Sequence, residues 1–240
     1  VNTLIVEEST DRVVVTLSRE TQRNAIDSDM IGELHEVCAL VEQDPRIVIL
    51  TGAGEHFAGG ADINQLRART RDDALRGINR NLFDRIAALP LPTIAAVCGY
   101  ALGGGAELSY ACDIRIASPT AVFGNPEPGL GIMAAAGASY RLPTLVGVSV
   151  AKQVLLGGRT LDAEVALRCG LVLEVVDEPL AAAHSLADRI AKQAPLALKL
   201  TKKILDAPGS HPWADDIAQA VLFETEDKQR RMTAFLEKKK

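Results

Sequence analysis

No two cysteines in this 240-residue chain form a CxxC pair; Cys38, Cys98, Cys112 and Cys169 are widely spaced among apolar neighbours. They read as small core residues of a protein in a reducing compartment. The four histidines, His35, His56, His184 and His211, show no HExxH or similar ligand spacing, so no metal site is expected. Positive charge is not in excess either: a net charge of -5 and a pI of about 5.5 argue against a broad nucleic-acid or anionic-membrane surface. The longest apolar stretch, residues 94–106, is too short to span a bilayer and contains four glycines. The first residues lack a charged and then apolar leader, which leaves a soluble, cytoplasmic protein as the expectation. What is present is ordinary globular composition, 48% hydrophobic and 24% charged, in a chain long enough to bury a core without disulfides or metals.

Periodicity supplies the outline. Residues 4–7 and 12–18 (RVVVTLS) alternate as β-branched strands around Ser9-Thr10-Asp11, the pattern of a hairpin. Residues 29–42 place Met30, Ile31, Leu34, Val37, Cys38 and Val41 at helical spacing behind cap candidates Asp27 and Ser28. Residues 46–51 (RIVILT) read as a buried strand, and the cycle repeats with a helix over 75–89, a strand over 92–98, a short helix from Gly104 and a strand over 113–117. Strand-then-helix order predicts an α/β fold with its ligand site in loops at strand ends, and by itself also permits a doubly wound sheet. After Gly131 the pattern is mostly helical, near 148–156, 180–193, 195–207 and 213–236.

Two glycine-rich turns each follow a strand, Phe57-Ala58-Gly59-Gly60-Ala61-Asp62 and Ala101-Leu102-Gly103-Gly104-Gly105-Ala106-Glu107. Taken singly, either is first of all a tight turn or a close helix contact. If they are neighbours in space, N–H groups at two helix starts can converge on one oxygen and stabilise an enolate. Glu107 sits among Ala106, Leu108 and Ala111, and Glu127 in the proline-flanked loop Asn125-Pro126-Glu127-Pro128-Gly129. Each can be a solvated acid; around one water, they can activate it and exchange a proton.

The segments HFAGGADI (residues 56–63), AAVCGYALGGGAELSYACDIRIAS (95–118) and FGNPEPGLGI (123–132), with RNAID (23–27) and AFLEK (234–238), resemble successive motifs of the crotonase (enoyl-CoA hydratase/isomerase) family across nearly the whole chain. The resemblance implies a crotonase-like ββα superhelix over residues 1–190 and a C-terminal helical segment over 191–240. It places the family's oxyanion-hole amides on Ala61 and Gly104, and its two hydratase glutamates on Glu107 and Glu127. The implied reaction is syn addition of water across the 2,3-double bond of an enoyl-CoA, Glu107 taking the water's proton and Glu127 orienting the water and protonating the α-carbon. Contacts to CoA are implied for Arg23, Ala58, Ala61, Asp62, Ile63 and Gly104. Phe223 and Lys238 are candidates for a neighbour's CoA site in a homotrimer or homohexamer. No cofactor is implied beyond the CoA carried by the substrate, and no nucleic-acid or membrane partner.

The chain departs from the family pattern in three places. Residues 133–142 (MAAAGASYRL) replace a Pro-Gly-rich turn that helps line the family's acyl pocket, Arg230-Arg231 stand for a Glu-Gly pair, and Gln219 for a phenylalanine. The basic run Arg67, Arg69 and Arg71 reads as a solvated helix face or as a phosphate contact. Residues 129–134 formally fit GxGxxA, but follow a proline-bounded loop where a dinucleotide site needs a strand, so NAD binding is discounted. The alternatives to a hydratase are an enoyl-CoA isomerase, a hydratase or dehydratase for a specialised acyl-CoA, or a non-catalytic CoA- or RNA-binding scaffold.

Overall fold

The computed structural model describes residues 3–237 apart from 208, 210 and 211, so His211 and Lys238 lie outside the described residues. The chain opens with an antiparallel hairpin of β1 (Leu4–Glu8) and β2 (Arg12–Leu17), Leu4 opposite Leu17. Helix α1 (Ser28–Gln43) starts at Asp27, whose side chain accepts the Met30 N–H at 2.9 Å, and it buries the six residues that helical spacing put on one face. Strand β3 (Ile47–Gly52) follows. Next come α2 (Ile63–Ala68), α3 (Arg71–Arg76), α4 (Ile78–Ala87), β4 (Thr93–Val97), β5 (Tyr100–Leu102), α5 (Gly104–Ala111), β6 (Ile114–Ala117) and β7 (Val122–Gly124). A 3-10 helix at Glu127–Leu130 leads to α6 (Ala138–Leu155), β8 (Leu161–Asp162), α7 (Ala163–Arg168) and β9 (Glu174–Val175). Four helices end the chain: α8 (Pro179–Ala191), α9 (Pro195–Leu205), α10 (Trp213–Phe223) and α11 (Glu226–Glu237).

The main sheet has the order β1-β2-β3-β4-β6-β9, parallel after the first hairpin. The central strands β3 and β4 are buried on both faces because both are covered. Val48, Leu50, Ala95 and Val97 join the large core under α1, α4 and α5, while Ile47, Ile49, Ile94 and Ala96 point the other way, into a smaller core capped by Ala183, Leu186 and Ala187 of α8. From β4 the chain turns at Gly99 straight into β5 of a second sheet, β5-β7-β8, and β6 passes likewise into β7. Gly99 has a φ of 49° and a β-carbon there would lie 2.3 Å from the Glu55 carbonyl oxygen, so only glycine fits this step. The β4–β5 and β6–β7 turns of the chain thus each give one strand to each sheet and are followed by a helical segment, and the turn after β3 joins the second sheet by a single bridge at Ala58; this is a ββα superhelix and excludes the doubly wound alternative. Among the described residues no helix is long and apolar enough to cross a membrane.

The helix expected over 75–89 is instead α3 and α4, because Gly77 takes a left-handed φ of 61° and caps the first of them. The helix expected over 213–236 breaks at Glu224–Thr225, where the Thr225 hydroxyl accepts the Lys228 N–H at 3.2 Å and starts α11. Helix α6 begins ten residues earlier than its expected start at Val148, and bends at Gly147, whose φ is 78°. The short strands β5, β7, β8 and β9 had no sequence signature, being too brief to show alternation. Residues 129–134 fall in the 3-10 helix and the irregular turn after it, not at a strand-to-helix junction. Lys202 of α9 reaches into the core side, its Nζ 2.7 Å from Asp113 Oδ2 and 3.3 Å from the Leu91 carbonyl oxygen.

The tightest seam between successive turns is at Gly105, where a β-carbon would stand 2.2 Å from the Ala58 carbonyl oxygen. Gly105→Ala is expected to destabilise the fold by about 1–3 kcal/mol through overpacking, read as a lower urea midpoint; an unchanged midpoint would show that the seam can relax.

Candidate active site

After β3 the chain folds back through residues 53–62, and a buried asparagine shapes the return. Asn24, at a left-handed φ of 55°, donates from Nδ2 to the carbonyls of Ala53 (2.9 Å) and His56 (2.7 Å). Asparagine tolerates this conformation better than most side chains. The loop then crosses the next turn: Ala58 N–H donates to the Tyr100 carbonyl at 2.9 Å, and Leu102 N–H to the Ala58 carbonyl at 3.0 Å. Two residues on, Ile26 donates to the Gly60 carbonyl and accepts from the Asp62 N–H, at 2.8 and 2.9 Å. With its neighbours turned toward Ile26, the Ala61 N–H faces the opposite side, as strand pleating requires. Asp62 then caps α2, accepting from the Asn64 and Gln65 N–H groups.

Across from it, Gly103 bends the chain at φ 51° and Gly104 opens α5. A β-carbon on Gly104 would lie 3.4 Å from the Ala61 nitrogen, so the two turns meet at these residues. Among the described residues neither the Ala61 nor the Gly104 N–H donates to a backbone acceptor. At a helix start such donors are available to an anion or a polarised carbonyl.

Both glutamates are buried, Glu107 to 3% exposure and Glu127 to 8%. Glu107 Oε1 accepts the N–H groups of Ala136 (2.7 Å) and Ala138 (3.1 Å), in the segment that departs from the family pattern. Burial pushes its carboxyl up to about 7, the amides of Ala138 and Ala136 pull it down, and the Glu127 charge adds to the rise. Burial also raises the Glu127 carboxyl, against its own backbone amide and Asn125. Glu127 Oε1 takes a long contact of 3.5 Å from Asn125 Nδ2, while Oε2 is buried with no hydrogen-bond partner among the described residues. Leaving a buried acceptor unpaired costs about 1–3 kcal/mol, so among the described residues this oxygen is kept at the expense of stability. Glu127 Oε1 sits where a β-carbon on Gly103 would be 3.2 Å away, directly beside the Gly104 turn.

The other expected residues divide. Arg23 is exposed at a left-handed φ of 51°, its guanidinium 5.7 Å from the Tyr100 ring, which stacks on His56. Asp62 and the exposed Ile63 follow Ala61 at the rim. Ala58 is fully buried with both backbone groups engaged by the second turn, so it joins the two turns. Phe223, at the end of α10, is half-exposed with Lys228 Nζ 5.2 Å from its ring. Arg69 is tied to Asn79 and Arg71 to Asp72, while Arg67 is exposed on α2. Sequence reasoning missed Arg19, which pairs with the cap residues of two helices, Asp27 at 3.1 Å and Asp62 at 3.3 Å. Two aspartates in cap positions near one arginine were the available signal.

Two backbone donors without a backbone acceptor among the described residues, close to a pair of buried carboxyls, are an arrangement that can polarise a carbonyl and move a proton beside it. Comparison with known proteins agrees with that chemistry. The enoyl-CoA hydratase/isomerase family model matches residues 7–240. A short-chain-enoyl-CoA hydratase of Clostridium acetobutylicum is 41% identical, covering 100% of this chain and 96% of the relative. A crotonyl-CoA hydratase of Syntrophomonas wolfei is 37% identical over 99% and 96%. Among solved structures, the enoyl-CoA hydratase from Bacillus anthracis superposes with a TM-score of 0.93 at 34% identity over 98% of this chain and 96% of that one, and Pseudomonas aeruginosa DspI with 0.94 at 32% identity over 99% and 95%. The chain belongs to the enoyl-CoA hydratase/isomerase family, the crotonases.

The raised carboxyl has a consequence for stability. A carboxyl whose value rises on folding costs nothing below its ordinary 4.5 and increasingly destabilises the fold as pH climbs through about 7, because the unfolded chain ionises more readily. Glu107→Gln is therefore expected to be more stable than the parent by about 1–3 kcal/mol near pH ~8, with the difference fading toward pH ~5. Thermal melts at the two pH values decide it; a pH-independent difference contradicts the buried ionisation.

Proposed function

We propose that this chain is an enoyl-CoA hydratase, an enzyme that adds water across the 2,3-double bond of a 2-enoyl-CoA to give a 3-hydroxyacyl-CoA. The observation that carries the reading is the meeting of the Ala61 and Gly104 amides beside two buried carboxyls, one with an oxygen that has no protein partner. The full-length likeness to hydratases supports it.

In this reading the thioester oxygen sits between the Ala61 and Gly104 N–H groups. Attack by water at C3 pushes electron density onto that oxygen, and each aimed donor lowers the barrier by about 3–4 kcal/mol. Glu107, held by Ala136 and Ala138 through Oε1, takes the proton from the attacking water. Glu127 orients the same water through its unpartnered oxygen and supplies the proton to C2. The coupled pair works with one proton between its members, so turnover is bell-shaped in pH and its limbs belong to the pair.

Arg23, over the Tyr100 ring, and the Asp62–Ile63 rim are the proposed CoA contacts. A homotrimer or homohexamer is proposed as well. Helices α10 and α11 bury no residue and leave Trp213, Ile217, Val221, Met232 and Leu236 exposed, an apolar surface that calls for a cover. Sedimentation at the mass of one chain would remove that part of the proposal.

The reading is tested with crotonyl-CoA and a longer 2-enoyl-CoA, following loss of the conjugated thioester absorbance and the product mass. A product heavier by one water is expected. Glu107→Gln and Glu127→Gln should each lower kcat by about 10²–10⁴-fold with acyl-CoA binding largely kept. A shifted double bond without added water would make the protein an isomerase, and near-parental turnover in either variant would remove that glutamate from the mechanism.

A further inference from the structure

The turn Ala136-Gly137-Ala138 is gripped from two sides. From α5, Glu107 Oε1 accepts both alanine amides, at 2.7 and 3.1 Å. From α6, the Arg141 backbone N–H closes the first helical turn on the Gly137 carbonyl at 2.8 Å, as any residue there would, and the side chain itself folds back so that Nη1 lies 3.5 Å from the Ala136 carbonyl oxygen. The guanidinium rests so close to Gly137 that a β-carbon there would be 2.2 Å from Nη1, and the glycine's φ is 132°. A side chain at 137 would displace the arginine, the turn or both.

Arg141 is itself anchored on a third element. Its Nη2 stands 2.7 Å from Asp84 Oδ1 of α4, an oxygen that also accepts the Tyr140 hydroxyl at 2.6 Å, while Arg80 meets Asp84 Oδ2 at 3.2 Å. The Tyr140 ring lies 4.9 Å from the Arg141 guanidinium carbon. The arginine side chain is 14% exposed and Asp84 40%, so the guanidinium is held mostly inside the protein while its anchor stands at the edge. No step of the proposed reaction uses Arg141, Asp84 or Tyr140, yet the three tie α4 to the turn that aims Glu107.

We propose that Arg141, anchored by Asp84, is a positioning residue for Glu107: it locks the Ala136–Ala138 turn and thereby the direction of the carboxylate on the turn's other side. The inference rests on Glu107 being the base for water. Glu107 is faced by Glu127 from the 3-10 helix, Tyr110 from its own helix and Arg141 from α6. Arg141 in turn is faced by Asp84, Arg80 and Tyr140, and by Asp206 from α9. Burial dominates the rise of the Glu107 carboxyl and the Arg141 charge is the smallest of the influences that lower it, so removing Arg141 moves the pair's ionisation slightly upward while the loosened turn costs aim.

Hydration of crotonyl-CoA is measured across pH for the parent, Arg141→Met, Arg141→Lys, Asp84→Asn and the double variant, beside Glu107→Gln. For Arg141→Met, kcat is expected to fall by about 10–100-fold with KM changed less than about 3-fold, because misaim acts on the chemical step and not on CoA binding. Its ionisation near neutrality moves to higher pH, and Arg141→Lys restores that position but only part of kcat. Asp84→Asn, at a half-exposed site that folding tolerates, loses about 3–10-fold in kcat, and the double variant is no worse than Arg141→Met alone, since both changes break one linkage. An inactive Glu107→Gln together with parental kcat and pH profile in Arg141→Lys and Asp84→Asn overturns the inference and leaves the hydratase reading standing, even if Arg141→Met does not fold. An active Glu107→Gln removes the base, and the inference falls with it.

Discussion

The site depends on one short pairing, that of Ala58 with the strand Tyr100–Leu102. Two hydrogen bonds, of 2.9 and 3.0 Å, join loops that are more than forty residues apart in the chain, and with no side chain at Gly105 the helix behind them closes onto the Ala58 carbonyl. Everything that gives the site its chemistry follows from that contact. It brings Ala61 to Gly104, and it fixes the start of α5 and therefore Glu107 one turn along. It also places the Gly103 bend against Glu127. Position 58 is a joint between two backbones, and its alanine side chain is fully buried there.

The second constraint is the burial of two carboxyls with few compensating donors. A protein selected for stability alone would not keep a buried carboxylate oxygen without a partner, nor a second carboxyl raised to about 7 by burial. The fold offsets this cost elsewhere, in a large core in which both faces of the main sheet are covered and in caps such as Asp27 and Asp62. The same burial puts the Glu107 carboxyl near neutrality, where a proton can be accepted or returned with little penalty. Destabilisation and reactivity are here one physical fact, the low polarity around Glu107.

Much of this was legible in the chain. The six buried residues of α1 follow from a period of 3.6 and the hairpin from alternation, while the strands β3, β4 and β6 follow from short apolar runs. Breaks within helices were harder to read: Gly77 is one of many glycines, and only its left-handed conformation divides α3 from α4. The second sheet was invisible, since strands of two or three residues carry no alternation. At the site, the glycine turns and both glutamates stood out by motif, whereas Asn24, Arg19, Arg141 and Asp84 did not. Their partners lie far away in sequence, and nothing local distinguishes them from ordinary polar residues.

By itself the sequence determined the local features: glycine-rich turns after strands, an aspartate at a helix start, an apolar face wherever a helix or strand is buried. These are local consequences of sterics and of the hydrophobic effect, and they can be read one segment at a time. The tertiary structure alone decided which free amides face each other, which oxygen of Glu127 is left without a partner, and that residues 136–138 hold Glu107. Those outcomes depend on distances between separate turns of the superhelix, and electrostatics and hydrogen bonding act through such distances and not through sequence neighbourhood.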